Sequence, residues 1–262
     1  MTETGSSPSL TLIIFALAAA AVTAYGVYAF IYGIYIRCRY IMLGQDAGEF
    51  QDWKERLRVT FRQVFGHTKL LKDRKSGIMH LFIFYGFFIV QLGAVELIIK
   101  GFYPDFRWPF GSLYPFYTLS QEFTVTAVIV AILYAAYRRF GEKLPRLKRD
   151  VKATLVIYFI GGLMLSVLLS LAFEALWIGL EPNWIRPFSS LFQIIFSFVH
   201  PDAAYWLFYL FWWLHLLILL AFMVYVPQSK HAHLLFAPFN ILFSRMGPPS
   251  KMLPIDFTDE TA

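Results

Sequence analysis

Five apolar runs, each long enough to cross a bilayer, constrain this 262-residue chain more than any other feature. A spanning helix needs about 20 apolar residues. The runs are Leu10–Ile36, Ile78–Ile99, Pro115–Tyr137, Ala153–Leu180 and Ala203–Pro227. The first has no charge, the second to fourth carry one carboxylate each (Glu96, Glu122, Glu174), and the fifth holds His215. Composition agrees: 58% of residues are apolar and 15% charged, against about 25% charged in a soluble domain. A soluble enzyme and a disordered chain are both excluded. The expected fold is all-α, an integral membrane five-helix bundle over residues 1–244, with a cytoplasmic tail over 245–262.

Leu10–Ile36 lacks a basic leader and is too long for a signal peptide, so it reads as a retained span. Twenty of the 23 Lys and Arg residues fall in the loops after the first and third runs and in the tail. The positive-inside bias then places the N-terminus outside and the C-terminus in the cytoplasm of a cell inner membrane. This also accounts for the net charge of +6 without nucleic acid as a partner. Glu49–Phe65 alternates apolar and charged residues at helical spacing and reads as an amphipathic helix on the cytoplasmic membrane face. Pro187–Val199 is apolar but too short to span, and reads as an interfacial helix on the outer side.

Cys38 is the single cysteine. No internal disulfide, four-cysteine iron–sulfur cluster or covalent haem motif is therefore available within the chain.

Chemistry falls to six histidines: His67, His80, His200, His215, His231 and His233. Imidazoles inside a bundle are costly, and ligating metal or haem iron is a common reason to hold several. His80 enters the second span from the cytoplasm and His233 lies just past the cytoplasmic end of the fifth, so both sit at similar depth. On an ideal helix, His215 would share a face with His233 roughly 27 Å away, unless Pro227 bends it. His67, His200 and His231 read as surface or loop residues. A hydrogen-bonded core histidine or a proton relay is the competing reading for each intramembrane imidazole. Glu96 and Glu174 form a possible proton path in the outer half, with a simple Glu96–Lys100 pair as the alternative. Glu122 reads as reaching the interface.

His215, Pro227, Ser229, Lys230, His233 and Pro238 resemble, in order and spacing, the last transmembrane helix of the respiratory nitrate reductase gamma subunit, a cytochrome b family. The run His80-Leu81-Phe82-Ile83-Phe84-Tyr85-Gly86, the stretch Gly93 to Ile99 and the segment Phe65 to Arg74 resemble a related branch more closely. That branch comprises the membrane domains of heterodisulfide-reductase-like iron–sulfur proteins, including electron-transfer-flavoprotein:menaquinone oxidoreductases. The resemblance implies that His80 and His233 are the axial ligands of a cytoplasm-proximal haem b, and that His215 is a ligand of a distal haem. The nitrate reductase pattern has a second histidine ten residues after His80, where this chain has Val90. Three outcomes stay open for His215: a five-coordinate haem, another ligand such as His200, or no distal haem.

The function so implied is a membrane cytochrome b relaying electrons between a cytoplasmic iron–sulfur partner and the menaquinone pool, with electron-transfer flavoprotein as the donor. Lipid, quinone and an iron–sulfur protein are the expected partners. In long relatives a segment resembling Gly247 to Phe257 leads into a ferredoxin and cysteine-rich domain, so this chain reads as a subunit of a split complex or a piece of a longer one. The alternatives are a heterodisulfide-reductase-like thiol/disulfide complex and, in another class, a haem-free anchor or proton-coupled transporter.

Overall fold

The computed structural model describes residues 10–44, 52–142 and 151–244. All of its regular structure among these residues is helical. Eight α-helices follow in order: α1 (Leu10–Ile41), α2 (Trp53–Val64), α3 (Arg74–Lys100), α4 (Tyr114–Ala136), α5 (Val151–Ile178), α6 (Pro187–Ile195), α7 (Pro201–Gln228) and α8 (His233–Leu242). Five are long and apolar enough to span a membrane: α1, α3, α4 with its flanking turns, α5 and α7. The chain is an all-α, multi-pass membrane bundle. The tail 245–262, with the segment Gly247 to Phe257, and the basic stretch 143–150 lie outside the described residues.

The bundle is ordered by close approach of small residues and by caps. α5 packs broadly against α7 and also against α4, while α3 packs on α4 and α1 on α7. α1 reaches α7 through Gly26, facing Leu220, and Gly33, facing Pro227. α3 begins at an N-cap, where Asp73 Oδ2 accepts from Ser76 Oγ at 2.8 Å. Arg138, at the end of the α4 segment, donates to Ser76 Oγ at 2.5 Å and so ties the two helices together at this end. Gly101 terminates α3 against the indole of Trp212, whose Nε1 donates to Leu97 O at 2.8 Å.

One local expectation changes, and two short helices gain packing partners. The amphipathic helix is described over Trp53–Val64, and it packs on α8 as well as bearing exposed apolar residues such as Leu57 and Phe61. Arg56 in α2 is buried and donates to Leu242 O at 3.0 Å and Ser244 O at 2.8 Å, closing the carbonyl end of α8. The fifth span does not run on to His233. Ser229 adopts extended backbone (φ −120, ψ 179), a short 3₁₀ turn follows, and His233 opens α8. His215 and His233 therefore belong to different helices, because Pro227 and then Ser229 end the α7 hydrogen-bond ladder. α6 lies beside α5 and α4, with its first residues drawn inward for a reason given below.

Candidate functional site

A cavity of about 1120 Å³ occupies the bundle interior. This is at or above the usual range of about 300–1,000 Å³ for sites that take small molecules or cofactors. Its lining extends from His67, His80, His231 and His233 at the basic end, past His215, to Glu96, Lys100 and Glu174 at the other.

At the basic end four imidazoles form a chain of ring contacts. His80 and His233 have their ring centres 6.5 Å apart with planes inclined at 38°. His67 lies 5.4 Å from His80, and His231 lies 5.9 Å from His233. His80 and His233 come together as their depths required. The other two depart from the surface reading. His67 is only 5% exposed: a left-handed turn (φ 48) folds its ring over the first turns of α3, edge-on to Phe84 at 4.5 Å. His231 is half-buried beside Tyr225 and His233. Burial lowers the His231 pKa from its ordinary value, and the neighbouring His233 and Lys230 push it the same way. His200 stays on the surface, with its Nδ1 3.3 Å from Asp202.

Backbone carbonyls fix two tautomers, because a carbonyl can only accept. His233 Nδ1 donates to Lys230 O at 3.0 Å, and His67 Nδ1 donates to Phe65 O at 3.1 Å. In each neutral ring the lone pair then sits on Nε2. His80 Nδ1 is buried without a hydrogen-bond partner.

His215, in mid-bundle, is 2% exposed. Ser166 Oγ lies 3.0 Å from its Nδ1 and spends its own proton on Leu163 O at 2.9 Å. The serine oxygen therefore accepts from His215 Nδ1–H, and the Nε2 lone pair is left buried and unpartnered. Val90 lines the same cavity.

The end of the cavity away from the histidine chain holds the carboxylates. Lys100 Nζ bridges Glu174 at 2.9 Å and Glu96 at 3.7 Å. The Glu96–Lys100 pair exists, but Glu174 is the nearer partner. Glu96 also accepts from Tyr114 at 2.5 Å and Tyr117 at 2.9 Å. Both of its oxygens, and both of Glu174's, are thereby engaged. Glu122 does not reach an interface. It is 1% exposed, and its Oε2 accepts from the backbone N–H groups of Phe188 and Ser189, both at 2.9 Å. These are orphan donors of the first turn of α6, so Glu122 draws that helix end inward. Nothing in the sequence near Glu122 announces this, since its partner lies 66 residues away.

Among the described residues, no group of three or more His, Cys, Asp or Glu side chains is arranged to hold a metal ion. A haem iron, held equatorially by its macrocycle, asks the protein for one or two axial side chains only.

The chain is 49% identical over 250 residues to the probable iron-sulfur-binding oxidoreductase FadF of Bacillus subtilis, an alignment covering 95% of this chain and 36% of that protein. It is 24% identical over 203 residues to the EtfAB:quinone oxidoreductase of Syntrophomonas wolfei, covering 72% of this chain and 28% of that protein. The chain thus spans about a third of the length of the curated relatives it matches. No protein-family model matches it. No solved structure matches it. Neither relative is a nitrate reductase subunit, so the likeness falls on the iron–sulfur, quinone-linked side of the resemblance.

Proposed function

We propose that this chain is the membrane electron-transfer part of a quinone-linked oxidoreductase, exchanging electrons between an iron–sulfur partner at its basic face and the quinone pool of the inner membrane. Its likeness to proteins named as an iron-sulfur-binding oxidoreductase and an EtfAB:quinone oxidoreductase supports the class of reaction. Electron-transfer flavoprotein is then the upstream donor and menaquinone the acceptor. One cysteine cannot supply an iron–sulfur cluster, so clusters belong to the partner or to a further domain.

Within that reading, His80 and His233 would hold one haem b. The observation that carries this assignment is their 6.5 Å ring separation inside the large cavity. Two metal–imidazole bonds of about 2 Å each, with about 1 Å from each nitrogen to its ring centre, give roughly 6 Å. The free Nε2 of His233 and the buried, unpartnered Nδ1 of half-buried His80 fit such a role. His215, with an unpartnered Nε2 and its ring held by Ser166, is the ligand for a second haem. Such a group supplies one-electron chemistry. The chain supplies ligand tautomers and ring orientation.

An optical spectrum of the purified, dithionite-reduced protein tests this. A sharp low-spin α band is expected, lost in His80→Ala and in His233→Ala. Its retention in both variants refutes the pairing. A wild-type protein without haem absorption favours the haem-free anchor or transporter. A spectrum unchanged by His215→Ala limits the chain to one haem.

A further inference from the structure

The bundle carries three buried carboxylates, and their oxygens are not equally engaged. Glu96 gives both oxygens to tyrosine hydroxyls, and Glu174 gives both to Lys100. Glu122 commits Oε2 to two backbone N–H groups, while its Oε1 is buried and has no hydrogen-bond partner. The residue lines the cavity. A buried polar atom left unsatisfied calls for an explanation, and a ligand group is one such partner. The carboxyl is also held rigidly. It sits two turns into α4, and its other oxygen is fixed to the first turn of α6. Those two N–H groups occupy Oε2, so a proton carried by this carboxyl sits on Oε1.

The surroundings extend the pattern. Ser189 Oγ and Gln193 Oε1 are likewise buried and unpartnered, and they lie one turn apart on the same face of α6. Gln193 also donates to Leu180 O, at the start of the segment joining α5 to α6. Ser189 thus adjoins Glu122 through its backbone N–H, and Gln193, one turn on, adjoins the α5–α6 connection through Leu180.

We propose that Glu122 is the acid that hydrogen-bonds the quinone head group in the cavity and exchanges a proton with it, with Ser189 and Gln193 marking the route to the outer side. This rests on the quinone-linked reading above. In the reducing direction, a quinone takes two electrons that originate in the iron–sulfur partner, and two protons. One proton leaves Glu122 Oε1 as the new O–H bond forms on a ring oxygen, and the other comes from the outer aqueous phase. Glu122 is then reprotonated from that phase, so the cycle closes with quinol as product and the carboxyl restored. The Lys100 cluster holds the end of the bundle together rather than giving the proton, because each of its carboxylate oxygens already has a partner.

The test uses a short-chain naphthoquinone added to the purified full chain. Infrared difference spectra on binding report a perturbed carboxylic-acid band, and a quench titration gives quinone affinity. Glu122→Gln retains an acceptor for the two N–H groups but has no acidic proton. The expected result is loss of that band, affinity within about threefold of wild type, and quinone reduction slowed about 100-fold, as removal of a general acid does. Glu122→Asp, which keeps the acid, regains part of the rate. If the band and the rate survive in Glu122→Gln, the assignment is wrong. If the band vanishes instead in Glu96→Gln or Glu174→Gln, the proton belongs to the Lys100 cluster and the assignment is equally wrong. If wild type binds no quinone, the quinone-linked reading itself fails, a result separable from the others.

Discussion

Trp212 and Gly101 meet so closely that a methyl group on the glycine would come within 2.0 Å of the indole Cε2. The indole is 1% exposed, donates to Leu97 O, and is packed by Phe15 and Phe102. Gly101→Ala must therefore displace an anchored ring, and overpacking of this kind costs about 1–3 kcal/mol. A lowered thermal midpoint in detergent is expected. Gly161→Ala, where the added carbon would sit 3.6 Å from Ile132 in ordinary contact, should leave the midpoint nearly unchanged.

Lys100 is shared by two buried carboxylates, and its removal leaves both without their cation. Breaking a buried pair from one side costs about 3–5 kcal/mol. Lys100→Met should accordingly destabilise the bundle strongly. Combining it with Glu174→Gln should recover part of the loss, giving a large coupling in a double-mutant cycle of unfolding free energies.

Arg56 holds the last carbonyls of α8, the helix that His233 opens. Hydrogen bonds to a charged group contribute about 1.5–3 kcal/mol. Arg56→Ala should free the end of α8. Amide exchange across residues 233–242 should quicken while α5 and α7 keep their protection. Unchanged exchange in α8 would show that α2 does not clamp it.

His231 has its pKa lowered in the folded protein by burial. The unfolded chain therefore takes up this proton first as pH falls, and stability drops from about the ordinary histidine value of 6.5 down toward the lower folded value. Above that range the contribution is fully present. The thermal midpoint should fall on acidification from neutral pH, and His231→Gln should flatten the slope. An equal slope in the variant would assign the effect to other groups.

The features legible in the sequence are those that depend on distance along the chain. Apolar run length gave the five spans, and the position of His80 and His233 relative to their span ends put them at one depth. What escaped depends on tertiary events. His67 is buried because a left-handed turn returns it onto α3, a backbone event that no apolar periodicity encodes. Glu122 is buried because a helix 66 residues later brings its first N–H groups to meet it. Lys100 paired correctly with Glu96 by helical spacing, yet its nearer partner, Glu174, is on another span. The shared face expected of His215 and His233 failed at Ser229, where one extended residue resets the helical phase.

Between its two polar ends the cavity is lined largely by hydrocarbon, with His215 set into it. Residues such as Ile83, Val125, Val128, Ile160 and Val167 line its middle. An ion crossing that stretch would have to shed its hydration with little in exchange, whereas an electron needs no such shell. Such a lining insulates the two aqueous phases from each other, so a proteoliposome carrying this bundle should hold its pH gradient.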